Sequence, residues 1–179
     1  MTNVIEMVMI VTVTGFSNRV NILKGNYVDN VPLFKNLDQK YMDLLKALFE
    51  PFSCNAGVTV LQQGTPADYL YIVISGAVEM TYKPYDGVLI TVSHVEKDGL
   101  FGWSAVVGSE KYTSSAIAIE DLETVRIRGN ELRKLCVEHP EAAKEILERL
   151  ASSVSSRWTD AQNQVKSILE QGLKENKRD

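Results

Sequence analysis

The sequence predicts a mainly β domain, a sandwich or barrel, flanked by helices. Two changes of hydrophobic period carry that reading. Between Phe52 and Ile127, short runs rich in Val, Ile, Tyr and Thr are separated by glycine-bearing breaks, as in a sandwich or barrel. On either side, apolar residues recur at three and four, the spacing of one helix face. With 179 residues, 45% of them hydrophobic, the chain can build one core with an element to spare.

Taken in order, the run Val8-Met9-Ile10-Val11-Thr12-Val13-Thr14 is rich in β-branched residues and stops at Gly15, which predicts a strand without an assigned role. Ser17 to Asn30 is polar and aperiodic, a linker, so residues 1–30 form an N-terminal extension. After Val31-Pro32-Leu33-Phe34, the positions Leu37, Tyr41, Leu44, Leu45 and Leu48 predict an amphipathic helix, capped by Asp38 or Asn36 and stopped by Pro51. Strands are expected at Val58–Leu61, Tyr69–Ser75, Ala77–Lys83, Val88–Val95, Ser115–Ile119 and Thr124–Ile127. Asp86-Gly87 is the signal of a type I′ hairpin, because both central residues of that turn need positive φ.

Helical spacing returns at Leu132, Leu135 and Cys136, and again after His139-Pro140, where proline suits a first turn. Ala143, Leu147, Leu150, Val154, Trp158, Ala161, Val165 and Ile168 then follow one another as a heptad seam with one inserted step. A helix over residues 140–171 would be about 48 Å long, more than one small β domain needs. The expectation is a homodimer joined through this helix by Leu147, Leu150, Val154, Trp158, Ala161, Val165 and Ile168. The alternative is a helix that folds back along its own domain.

Several function classes fall away. A formal net charge of −4 argues against a nucleic-acid surface. Cys54, Cys136, His94 and His139 share no metal-ligand spacing, so no metal is expected and the thiols read as buried structural groups, which fits a reducing cytoplasm. The apolar run near the start holds Glu6, lacks a basic leader and is too short to span a bilayer, so neither signal peptide nor membrane anchor is expected. A nucleophile elbow, a His-Glu-x-x-His and a P-loop are all missing, so the chain is not expected to be an enzyme.

The stretch from Asp98 to Ala116 carries the functional argument. Asp98-Gly99, Phe101-Gly102 and the short apolar segment after Trp103 form a turn that points backbone N–H groups toward one spot. That is either an anion or small-ligand cradle, or a tight turn around packed aromatic rings.

This arrangement resembles the cyclic-nucleotide-binding domain of catabolite-activator-type regulators and cyclic-nucleotide-dependent kinases. The matching motifs are Val31-Pro32-Leu33-Phe34, Leu61-Gln62-Gln63-Gly64, the run from Ala67-Asp68-Tyr69 to Ser75-Gly76-Ala77-Val78, and Phe101-Gly102 before Ala105. Together they span residues 31–158. The resemblance implies a double-stranded β-helix, a jelly-roll-like β-roll, over residues 31–139, with a long C-terminal α-helix and charged tail over 140–179. It also implies that Asp98–Ala116 is the phosphate-binding cassette, whose usual pattern is Phe-Gly-Glu-x-Ala-Leu and, further on, an Arg followed by small residues. In that pattern the Glu holds the ribose hydroxyl and the Arg holds the phosphate.

Laid on without a gap, the pattern puts Trp103 at the Glu position and Tyr112 at the Arg position. Losing one partner of a buried charge pair costs about 3–5 kcal/mol. At about 1.4 kcal/mol per tenfold, affinity falls by hundreds to thousands. Tight cAMP or cGMP binding through the usual contacts is therefore not expected.

Three readings follow. The cassette takes another small ligand, aromatic or weakly anionic, through Phe101, Gly102, Trp103, Ser104, Ala105, Tyr112, Thr113, Ser114 and Ser115. It holds a nucleotide with a cation from Lys111 or Arg157. Or Trp103 and Tyr112 fill the pocket and leave a dimerising interaction scaffold. The first, a ligand-sensing regulatory domain with an unidentified output protein, leads. The regulators that share the fold usually carry a helix-turn-helix after the long helix, and about 20 residues after Trp158 are too few for one, so direct DNA binding is not expected.

Overall fold

The computed structural model describes residues 28–107 and 109–152. Two 3-10 turns, Val28–Asn30 and Pro32–Phe34, lead into helix α1 (Gln39–Lys46). The strands are β1 (Glu50–Cys54), β2 (Thr59–Leu61), β3 (Tyr69–Ser75), β4 (Val78–Tyr82), β5 (Ile90–Val95), β6 (Leu100–Phe101), β7 (Ser115–Ala118) and β8 (Leu122–Arg128). Helix α2 (Ser104–Val107) joins β6 to β7, α3 (Gly129–Glu138) follows β8, and α4 begins at residue 140 and is described to 152. The strands form two four-stranded antiparallel sheets, β1-β8-β3-β6 and β2-β7-β4-β5. This is the expected β-roll flanked by helices.

The pleat of β3 divides the core in two. Tyr71 and Val73 point into the roll, with Leu61, Val78, Val95, Phe101, Tyr112, Ala116, Ala118 and Leu122. Leu70, Ile72 and Ile74 point outward and meet the helices through Phe34, Met42, Leu45, Val106, Leu132, Leu135, Ala142, Ile146 and Leu150. Alternation at period two produces both faces. At roughly 25 cal/mol per Å² of apolar surface, burial of its five central residues stabilises β3 from both faces.

Several local expectations are corrected. Val28, inside the stretch expected as linker, is buried in the outer cluster. Asp38 does cap α1, its Oδ1 accepting the Lys40 N–H at 2.9 Å, but the helix ends at Lys46 before Pro51 is reached. Pro51 instead sits in β1, an edge strand, where a missing N–H is tolerated. Asp86-Gly87 makes no two-residue hairpin, since pairing stops at Tyr82↔Ile90 and neither residue has positive φ. A turn at Pro84–Gly87 closes the longer loop, the Gly87 N–H donating to the Pro84 carbonyl at 3.3 Å, with proline and glycine at the turn ends.

Helix α4 is tied to the first turn of the domain. The Arg149 guanidinium donates to the carbonyls of Leu33, Lys35 and Asn36, and pairs with Glu145 at 2.7 Å. Those carbonyls lie at and just past the end of the Pro32–Phe34 turn, where helical partners run out. Of the residues expected in a dimer seam, Leu150 is 2% exposed in the chain's own core and Leu147 is exposed. The described part of the helix thus packs back on its own domain. Val154, Trp158, Ala161, Val165 and Ile168 lie outside the described residues, as do Val8–Thr14 and Arg157.

Candidate functional site

The site is built by β6, α2 and the segment that enters β7, set against β3 and the start of α3. Phe101 pairs with Tyr71 across the strands, and their rings stack with centroids 4.8 Å apart and planes 7° from parallel. The chain then turns at Gly102, φ 82°, where a Cβ would stand 2.4 Å from the Tyr69 carbonyl oxygen. Only glycine allows both that φ and that approach. At Gly129 a Cβ would meet the Ala105 carbonyl oxygen at 2.1 Å, so α2 lies directly on the first turn of α3. The Arg133 guanidinium donates to that same Ala105 carbonyl, and the Gly129 N–H donates to Asp68 at 2.8 Å.

The far end of the segment is pinned as firmly. Lys111 bridges to Pro66, the Tyr112 N–H donates to Thr65 at 2.9 Å, and the Tyr112 carbonyl accepts from Gly64 at 2.9 Å. Tyr112 then enters the roll. Its ring is 7% exposed among Leu61, Tyr71 and Phe101. Its hydroxyl accepts the Tyr69 N–H and donates to the Tyr69 carbonyl, both at 2.9 Å. Burial pushes the phenol up to about 12, against the pull of its backbone hydrogen bond to Tyr69.

The residues expected at the site therefore part company. Trp103 is half-buried and packs on the outer, helical cluster, while Phe101 and Tyr112 lie inside the roll. Gly102, Ser104 and Ala105 are buried, Lys111 and Thr113 exposed, and Ser114 half-buried. Ser115 Oγ accepts the Gln63 N–H at 2.9 Å. Trp103 and Tyr112 do not form one aromatic wall.

A cation that the sequence reading passed over does sit at the roll. Arg126, on β8 opposite Tyr71, lies 4.1 Å from the centroid of Tyr69 and 5.2 Å from that of Phe52, and pairs with Glu50 at 3.1 Å. Arg128 lies 4.7 Å from the Tyr69 centroid and meets the same carboxylate at 3.2 Å. Burial raises the Tyr71 phenol, and the Arg126 guanidinium works against it. Period-two alternation from Leu122, a residue of the inner cluster, would have found Arg126, since it sets Arg126 on that face and Val125 and Ile127 on the other.

A separate cleft of about 450 Å³ is lined by Pro32, Leu33, Asp98, Glu148, Arg149 and Ser152, and so shares only Asp98 with the cassette stretch. The Cys54 and Cys136 thiols are free and half-buried, and burial raises both. Among the described residues no helix is long and apolar enough to cross a membrane, and no group of three His, Cys, Asp or Glu gathers as a metal site.

This geometry, a roll whose sheet carries a glycine turn and one short helix before β7, coincides with a family match: residues 51–139 fit the cyclic nucleotide-binding domain. The β-roll belongs to that family. The CRP-like cAMP-activated global transcriptional regulator of Mycobacterium tuberculosis is 28% identical over 119 residues, 66% of this chain and 53% of the regulator. The chain thus spans about half the length of that relative. A cyclic nucleotide-binding domain from Methylobacillus flagellatus superposes with a TM-score of 0.70 at 17% identity, over 86% of this chain and 85% of that one. The regulatory subunit of a cAMP-independent protein kinase A from Trypanosoma brucei superposes with a TM-score of 0.64 at 15% identity, over 83% of this chain and 53% of that one. At these identities the two superpositions speak for the fold.

Proposed function

We propose that this cyclic-nucleotide-binding-type regulatory domain does not take cAMP or cGMP through the family's usual anchors, and that its cassette is a packed element transmitting position to the closing helix. One observation carries the reading. Tyr112, at the place of the family's phosphate arginine, is buried in the roll with its hydroxyl paired to both backbone groups of Tyr69. A nucleotide in that place would have to break both hydrogen bonds and displace the ring. Each buried polar group left without a partner costs about 1–3 kcal/mol.

Of the three readings the sequence leaves open, this is the filled pocket, with Tyr112 filling it and Trp103 serving the helical side. Arg126 is no replacement cation, because Glu50 and the Tyr69 and Phe52 rings already hold it. The domain has a regulatory rather than catalytic role. Its output runs through α4, which Arg149 fastens to the first turn, and the seam of Val154, Trp158, Ala161, Val165 and Ile168 joins two copies. Light scattering checks the last point, a monomer at high concentration counting against it.

Thermal unfolding with cyclic nucleotide tests the main claim. A ligand with Kd near 1 μM, present at 100 μM, would stabilise the domain by about 2.7 kcal/mol, several degrees in Tm. No shift is expected for the natural chain with cAMP or cGMP. In the Tyr112→Arg variant, which replaces the ring inside the roll with a cation, a shift is expected. A low-micromolar response of the natural chain would overturn the proposal.

A further inference from the structure

Among the described residues four strands end the two sheets, and three of them are short or carry proline. β6 has two residues, β2 has three, and β1 carries Pro51. The fourth, β5, is longer: six residues, Ile-Thr-Val-Ser-His-Val, with no Pro, Gly or Lys, paired among the described residues with β4 alone and bulged once, where the register shifts between Met80↔Ser93 and Thr81↔Thr91. Two residues lie on one side of that bulge and three on the other, and an edge of this length is a template for another strand. Beside it the hairpin exposes a run of apolar side chains, Tyr82, Tyr85 (100% exposed), Val88 (80%), Leu89 and Ile90. Tyr82 and Ile90 are directly paired across the two strands, so the patch continues from the loop onto the sheet.

We propose that this edge is occupied by the chain's own N-terminal run, Val8–Thr14, added to the sheet beside β5. The run is uncharged and β-branched, and both of its alternate faces are apolar, Val8 and Ile10 on one, Met9, Val11 and Val13 on the other. Such a strand needs a neighbour and cover, and the exposed hairpin supplies both. The tether is long enough. About 13 residues separate Thr14 from Val28, a reach of about 45 Å, against a radius of gyration of about 14 Å for a domain of this size. A flexible tether also holds the strand at an effective concentration in the millimolar range, which favours it over a strand from a second copy.

Hydrogen exchange by mass spectrometry on the full chain tests this, with the Val11→Pro variant, which removes one ladder donor. Amides of residues 8–14 in the natural chain are expected to exchange at least tenfold more slowly than an unstructured peptide, independently of protein concentration. Val11→Pro should speed exchange at least tenfold in both 8–14 and 90–95 and leave 69–75 in β3 unchanged. Unprotected amides over 8–14 in the natural chain would overturn the proposal without any variant. So would protection over 90–95 that ignores Val11→Pro, or that is lost on dilution, the latter meaning that a second copy supplies the strand.

Discussion

Positions 103 and 112 both bear an aromatic residue in the segment between β6 and β7, yet the two rings meet opposite environments. Trp103 faces the helices from the outer side of the sheet and keeps partial contact with water. Tyr112 is enclosed in the roll, and its one polar atom is satisfied by Tyr69. One aromatic residue on each side of the sheet thus has two physical outcomes. At 103 the ring adds cover to the helical core, whereas at 112 it fills space inside the roll. On the function proposed above, only the second competes directly with a ligand.

The difference can be broken most severely at 112. Tyr112→Ala removes a buried ring and strands both backbone groups of Tyr69, and should cost about 3–5 kcal/mol, read from urea unfolding. Gly129→Ala comes next. Its methyl must displace the Ala105 backbone, from which a Cβ would stand 2.1 Å, and overpacking of this kind costs about 1–3 kcal/mol. Because that contact joins α2 to α3, the loss should come with faster amide exchange around residues 104–107. Trp103→Ala, at a half-buried position on the helical side, should cost less than Tyr112→Ala in the same urea series. Equal losses at 103 and 112 would erase the distinction drawn between them.

The sequence carries the roll and misses parts of its use. Tyr69–Ser75 is legible to the residue, because a strand buried on both faces reads as an unbroken apolar run between turn signals. β1 was hidden, since Glu50-Pro51 reads as the end of a helix, and only pairing with β8 makes Glu50–Cys54 a strand. Phe101-Gly102 and the spacing to Tyr112 mark the turn and the short helix before β7. Which side of the sheet each aromatic takes is not legible, because α2 is a single turn whose direction depends on contact with Gly129. Arg149 was equally out of reach, as its partners are backbone carbonyls far away in the chain.

The pH dependence of stability is the effect most specific to Tyr112. Its phenol has an ordinary value near 10 in the unfolded chain and about 12 in the fold, burial being the main cause. The folded state therefore holds the proton more tightly, and between pH 10 and 12 the unfolded chain binds fewer protons than the native one. Stability falls with rising pH wherever that is so, so this contribution is intact below pH 10 and lost as pH approaches 12. Tyr112→Phe should lower stability at neutral pH by about 1–3 kcal/mol for each of the two stranded Tyr69 groups. The same variant should flatten the decline between pH 10 and 12. Burial also raises the Tyr71 phenol and will leave a residual slope, so the measurement is the difference between the natural chain and Tyr112→Phe across that window. An identical slope in both would mean that Tyr112 is not held neutral inside the roll, and the contrast with Trp103 would lose its inner half.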